Sequence, residues 1–168
     1  ENNNMGVYMQ EIPLLTATVF DAVENGFRTG KGISYEMYPG FQKFMTELAD
    51  AKHRQVLVSR FLPSVENGEM VKKLREGISV CDMGCGEGTA LILMAEAFPK
   101  SRFLGIDISG AVLEKGESMA KEKDLRNIIF KKRDCATLKE DMELRGSQDY
   151  VTAFDAIHDQ TQPMKALE

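Results

Sequence analysis

Between Val80 and Thr89 the chain reads Val80-Cys81-Asp82-Met83-Gly84-Cys85-Gly86-Glu87-Gly88-Thr89, with a short apolar run before it and a helical pattern after it. Three glycines at every second position restrict what this stretch can become. Glycine lets the chain turn sharply and, lacking a Cβ, lets a ligand lie against the backbone. A helix that starts there presents unpaired N–H groups to that ligand. Glycine serving only as a turn former is the alternative, but the strand–turn–helix context points to a nucleotide-like cofactor.

The rest of the chain supports that context. Ile78–Cys81, Arg102–Ile106, Ile128–Phe130 and Tyr150–Phe154 read as strands. Helical segments at about 90–98 and 110–123 separate the first three, and 137–147 is charged and loosely helical. Strands alternating with helix-length segments predict an α/β fold with a Rossmann-like parallel sheet. Upstream, Phe41, Phe44, Met45, Leu48 and Ala49 mark an amphipathic helix running towards Phe61, with Pro63 as its stop. A shorter helix is expected from Asn67, as N-cap, to Gly77. Residues 1–40 are rich in glycine and read as linker or remnant of an upstream region, apart from a helix near Leu14–Val23. The expected organisation is therefore 1–40 linker, 41–77 helical lead-in and 78–168 cofactor-binding domain.

The glycine spacing, Gly84-x-Gly86-x-Gly88 behind Asp82, differs from the G-x-G-x-x-G of dinucleotide enzymes. Asp107, 19 residues past Gly88, closes the second strand, where a carboxylate can accept both hydroxyls of an adenosine ribose. Asp134 follows the third strand, where an acid can accept from an adenine amino group. The alternative for either acid is a helix N-cap.

These residues resemble the class I S-adenosylmethionine-dependent methyltransferases: Asp82-x-Gly84-x-Gly86-x-Gly88 matches the first motif, Asp107 the second, and Asp134 the acid after the third strand. Phe27–Pro39 and Phe154-Asp155-Ala156-Ile157-His158-Asp159-Gln160 resemble a mycobacterial and nematode subgroup with a winged-helix-like region ahead of the catalytic domain. The resemblance implies that S-adenosylmethionine is the cofactor. Gly84 and Gly86 would approach its methionine part, with Asp82 opening the motif, and Asp107 would hold the ribose with Ile108 on the adenine. Asp134 would hold the adenine amino group beside Cys135 and Ala136, and Phe154 and Asp155 would flank the sulfonium.

His158, at the expected edge of the crevice, suits a general base for an oxygen nucleophile; a histidine bonding a loop is the alternative. His53, amid Lys52, Arg54 and Gln55, reads as a solvated helix residue. Tyr35 and Tyr38 either touch the site or pack against the domain. Cys81, Cys85 and Cys135 are too few to frame a disulfide scaffold and have no companion ligands for zinc, so no metal is expected.

Composition excludes several classes. The 21 Lys and Arg against 26 Asp and Glu leave a net charge of −5, which gives no help in gripping a polyanion, so a nucleic-acid partner is not expected. No apolar run approaches the roughly 20 residues of a membrane span, and no secretory signal is visible. The reading is a cytoplasmic enzyme that transfers a methyl group to a small-molecule acceptor by in-line displacement. A non-catalytic binding protein and an NAD-dependent oxidoreductase are the rivals. Because the class I fold has seven strands and four are read here, the chain is expected to be a fragment. Its fourth strand would be a bare edge, prone to aggregation or to pairing with a second copy.

Overall fold

Four parallel strands, β1 (Ser79–Met83), β2 (Arg102–Asp107), β3 (Ile128–Lys132) and β4 (Tyr150–Thr152), form one sheet in the order β3-β2-β1-β4. The computed structural model describes residues 6, 8–17, 19–33, 37, 40–158 and 160–168; Tyr35, Tyr38 and Asp159 lie outside them. From β1 the chain steps outward through β2 to β3, then returns to the other side of β1 for β4. That reversal puts a crevice at the C-terminal ends of β1 and β4, where open α/β sheets bind ligands. β1 runs two residues beyond its expected end, because Asp82 and Met83 still pair with Gly105 and Ile106 of β2. β4 is shorter than expected and stops at Thr152, so Phe154 and Asp155 belong to the following loop, not to the strand.

The chain divides into two units, Glu1–Lys52 and His53–Glu168. In the first, the helix expected near Leu14–Val23 is split into a π-helical turn, Pro13–Ala17, and α1 (Phe20–Thr29). Gly30, at φ 69°, closes α1 by donating its N–H to the Gly26 carbonyl at 2.9 Å. α2 (Phe41–Lys52) ends this unit. The second begins with an unusually long π-helix, His53–Phe61. Pro63 does not stop the helical run: it sits in the first turn of the short α3 (Leu62–Ser64), where its missing N–H costs nothing. α4 (Glu69–Glu76) is capped by Gly68 at φ 91°, and Asn67 lies in the preceding 3-10 turn.

α5 (Thr89–Ala97) buries Ala90, Leu91, Ile92, Met94 and Ala95 and is apolar nearly all round. Such a helix must be covered on both sides. The sheet residues Val80, Phe103 and Ile128 and the lead-in residues Leu57, Leu62, Met70 and Leu74 join it in one core. The opposite face of the sheet carries a smaller cluster of Cys81, Leu104, Ile106, Cys135 and Ala166. A 3-10 helix, Cys135–Glu140, and α7 (Pro163–Leu167) supply its outer members. One amide ties the bottom of the fold: Asn127 Nδ2 donates to the Ala95 and Ser101 carbonyls, each at 3.1 Å.

β2 and β3 are joined by α6 (Gly110–Glu122), and the side chain that locks them is Phe130. A Cβ at Gly88, Gly105 or Gly116 would lie 2.4, 2.6 or 2.9 Å from its ring. The start of α5, the middle of β2 and the buried side of α6 therefore all give up a side chain to one phenyl group. Gly105 also faces Cys85 Sγ, at 2.9 Å from such a Cβ. Its backbone is ordinary strand, so the requirement for glycine there is steric. Gly105→Ala is expected to lower the unfolding free energy by about 1–3 kcal/mol, the usual cost of overpacking. Urea unfolding checks this, and a change below about 0.5 kcal/mol would contradict the packing argument.

Candidate functional site

The turn after β1 is held by β2. The N–H groups of Gly84 and Cys85 both donate to the Ile106 carbonyl, at 2.8 and 3.0 Å. One residue on, Asp107 Oδ2 accepts from the Gly86 N–H at 3.0 Å and Oδ1 from the Ser109 N–H at 2.9 Å. A single carboxylate thus fixes the turn after β1 and the entry to α6. Gly86 has φ 56°, and a Cβ there would meet nothing within 4 Å, so its outer side is open. Ile108 is 65% exposed beside it, an apolar side chain in water at the end of a buried strand. Gly84, at φ 70°, is different: a Cβ would strike the Ala156 methyl at 2.6 Å. Glycine at 84 admits the loop after β4, glycine at 86 leaves room, and glycine at 88 seats Phe130.

That loop is tied to β1 by a buried pair. Thr152 Oγ1 donates to Asp82 Oδ1 at 2.7 Å, with Asp82 only 2% exposed. Burial pushes the Asp82 carboxyl up from 3.8 to about 6; the Thr152 hydrogen bond opposes this, and the neighbouring Asp107 charge adds to it. Beyond Thr152, Phe154 is half-buried and the exposed Asp155 takes a left-handed φ of 51°. Asp tolerates that region better than most residues.

Asp134 is exposed and caps the 3-10 helix, its Oδ1 accepting from the Ala136 N–H at 2.9 Å. Cys135 is buried beneath it. The C-terminal edge of the sheet therefore gathers Asp82, Gly84, Gly86, Asp107, Ile108 and Phe154, with Asp134 and Cys135 at the end of β3. His158 lies exposed in the turn that ends the same loop, where the Gln160 N–H bonds the Ile157 carbonyl at 3.2 Å. Burial, aided by Asp82, raises the Cys81 thiol to about 12, and burial likewise raises Cys85 and Cys135, which disfavours the thiolate form that a nucleophile needs. Among the described residues no three His, Cys, Asp or Glu side chains cluster as metal ligands. No helix among them is long and apolar enough to cross a membrane.

One expectation fails. His53 is not a solvated helix residue: its ring packs edge-on against Phe154 at 4.9 Å, and its Nδ1 is shielded from solvent. The signal was present in the spacing, since His53 follows Ala49 by four residues and precedes Leu57 by four, on the apolar stripe. Phe61, Thr152 and Ala156 also lie here, against Phe154, Asp82 and Gly84 in turn, and nothing local to their sequence marks them.

Comparison with known proteins bears on the family and the fold. The model of the methyltransferase-domain family matches residues 74–168. An uncharacterised protein of Rickettsia prowazekii is 33% identical over 76 residues, 45% of this chain and 29% of that protein. The tRNA (guanine-N(7)-)-methyltransferase of Cytophaga hutchinsonii is 34% identical over 64 residues, 38% of this chain and 29% of the enzyme. The chain thus covers less than a third of the length of these curated relatives. A solved structure from Galdieria sulphuraria, a candidate sarcosine dimethylglycine methyltransferase, superposes with a TM-score of 0.51 at 19% identity. It covers 61% of this chain and 36% of its own, and shares the fold.

Asp82 yields a pH prediction. Its carboxyl holds a proton in the folded state up to about pH 6, against 3.8 for an ordinary aspartate. Between those values the folded state binds more protons than the unfolded one. The stabilisation is therefore full below pH 3.8 and is lost as pH rises through about 6. Keeping the charge buried at pH 7.5 costs about 3 kcal/mol. Asp82→Asn retains an oxygen for Thr152 and removes the charge. It is expected to gain about 1–3 kcal/mol at pH 7.5 and to flatten stability between pH 4 and 7. Urea titrations across pH check this; a variant less stable than the parent at pH 7.5 would contradict it.

Proposed function

The chain belongs to the methyltransferase-domain family, and we propose that it carries the cofactor site of an S-adenosylmethionine-dependent methyltransferase whose acceptor is a small molecule. The observation that carries this reading is the Asp107 carboxylate. It closes β2 beside the turn after β1 and is anchored by two backbone N–H groups, between an open Gly86 and an exposed Ile108. An adenosine needs such a carboxylate for its ribose hydroxyls and an apolar surface for its base, so the residues present fit the group.

In this reading residues 78–168 hold the cofactor, 41–77 are a helical lead-in, and 1–40 are a linker ahead of it. Asp107 binds the ribose and Ile108 packs on the adenine. Asp134 takes the adenine amino group while Cys135 and Ala136 line the ring's side. Gly86 and Gly84 border the methionine part, and Asp82 sets the turn from beneath. Phe154 and Asp155 flank the reacting centre, and His158 accepts the acceptor's proton. When bound, S-adenosylmethionine supplies a methyl group made electrophilic by a cationic sulfur. The protein contributes alignment and exclusion of water, with no covalent intermediate.

The acidic balance of the chain, net charge −5, favours a small acceptor over a polyanion. Methylation of tRNA in a radiolabelled transfer screen, with no small molecule labelled, would overturn that part. Two variants test the residues. Asp107→Ala is expected to weaken S-adenosylmethionine binding by about 2–3 kcal/mol in calorimetry, the scale of lost charge-assisted hydrogen bonds; unchanged affinity would remove Asp107 from the site. His158→Ala is expected to lower turnover at least tenfold and leave cofactor affinity within twofold. Equal losses in both would give His158 a structural role instead.

A further inference from the structure

The sheet face that carries Cys81, Leu104 and Ile106 is covered unevenly. Leu104 pairs with Ile129 across β2 and β3, so both lie on that face, and Arg102 and Lys131, each two residues along, share it. Leu104 is 4% exposed, yet Ile129 is 55% exposed. A cavity of about 290 Å³ opens there, lined by both strands and by the segment 143–148. Leu104, Ile129 and Leu144 form its apolar wall. Ser79, Arg102, Asn127 and Gln148 supply polar groups at the end of the sheet where the strands begin.

Charge decides what fits. Three cations line the cavity, and two are engaged: Lys131 with Glu143, and Arg126 with Asp124 at 3.3 Å. Arg102 has no carboxylate partner among the described residues; its Nη2 donates to Ser79 Oγ at 3.2 Å, which holds the side chain at the start of β2. A guanidinium carries five N–H donors in a planar fork, and a carboxylate accepts two of them side by side. Two acids limit the charge of a ligand. Glu143 lines the cavity, and Asp149 accepts from the Ser79 N–H at 2.8 Å on the same edge. A phosphate dianion would meet both, whereas one carboxylate balances one guanidinium. The apolar wall calls for a hydrocarbon remainder. The volume calls for a small one, since ordinary ligand pockets start at about 300 Å³.

We propose that this cavity binds a small monocarboxylate with an apolar chain or ring, Arg102 taking the carboxylate and Leu104, Ile129 and Leu144 the hydrocarbon part. Arg102 and Asp107 stand at opposite ends of β2, roughly 16 Å of strand apart, so the site is separate from the glycine turn. It is independent of the methyl-transfer reading.

Calorimetry and amide NMR titrations of the chain with hexanoate and benzoate test this, with hexanamide and benzamide as neutral counterparts and inorganic phosphate as the dianion. At least one carboxylate is expected to bind saturably at millimolar concentration or below. It should move the amide signals of Ile129 and Gln148 and leave those of Gly86 and Ser109 in place. Its neutral amide and phosphate are expected to bind at least tenfold more weakly. Arg102→Gln keeps an amide donor for Ser79 Oγ and removes the charge; it is expected to lose at least tenfold in carboxylate affinity, the effect of a lost charge-assisted hydrogen bond. Ile129→Asn, which makes the wall polar, is expected to weaken binding several-fold. No saturable carboxylate binding, phosphate or the neutral amide binding as tightly, unchanged affinity in Arg102→Gln, or shifts centred on Gly86 would overturn the assignment. Should Arg102→Gln fail to fold, the comparison of carboxylate with neutral amide on the unsubstituted chain decides the role of charge.

Discussion

The carboxylate of Asp107 is the constraint on which the site depends. Its two oxygens hold the N–H groups of Gly86 and Ser109, so one side chain at the end of β2 fixes both the turn after β1 and the entry to α6. Charge-assisted hydrogen bonds of this kind are among the stronger ones available to a surface group. The turn, so held, presents Gly86 outward and leaves Gly84 to receive Ala156 from the loop after β4. Three separate crossings of the sheet edge are thereby brought to one place.

Asp82 lies beneath and works against the fold. A carboxylate 2% exposed is an expensive group, and Thr152 offsets only part of its desolvation. A chain selected for stability alone would gain from a neutral residue there. Buried charge beside a ligand crevice is instead characteristic of sites that meet a cation or tune a local field. The bond to Thr152 also makes β4 more than an outer strand, since it couples the loop bearing Phe154 to the first residue of the glycine motif.

The alternation of strands and helices, the placement of the glycine turn and the acids at strand ends were legible in the sequence, because period and residue type are local signals. What could not be read was set by contact across the sheet. β4 ends at Thr152, whose hydroxyl bonds Asp82, a partner 70 residues away that no local pattern reveals. Asn67 has the side chain of a cap, yet Gly68 caps α4 because the backbone there takes a left-handed turn. His53 looked solvated among its charged neighbours, while its position on the apolar stripe outweighed their charge. Pro63 carries a stop signal, yet it falls in the first turn of a helix, which tolerates it.

Phe130 occupies a seat whose other sides are backbone at Gly88, Gly105 and Gly116. Backbone cannot retract as a side chain can, so the phenyl group and its three glycines form a mutually conditional set. A methyl group added at one of them is harmful while the ring remains, and a smaller residue at 130 leaves a void that no glycine can fill. A single step at any of them therefore costs stability that a matching change at another can offset. Divergence among chains of this fold would cross this point by paired exchanges, a ring yielding as a side chain appears opposite. The four positions would then carry a joint record of descent, although only one of them, Gly88, belongs to the cofactor motif.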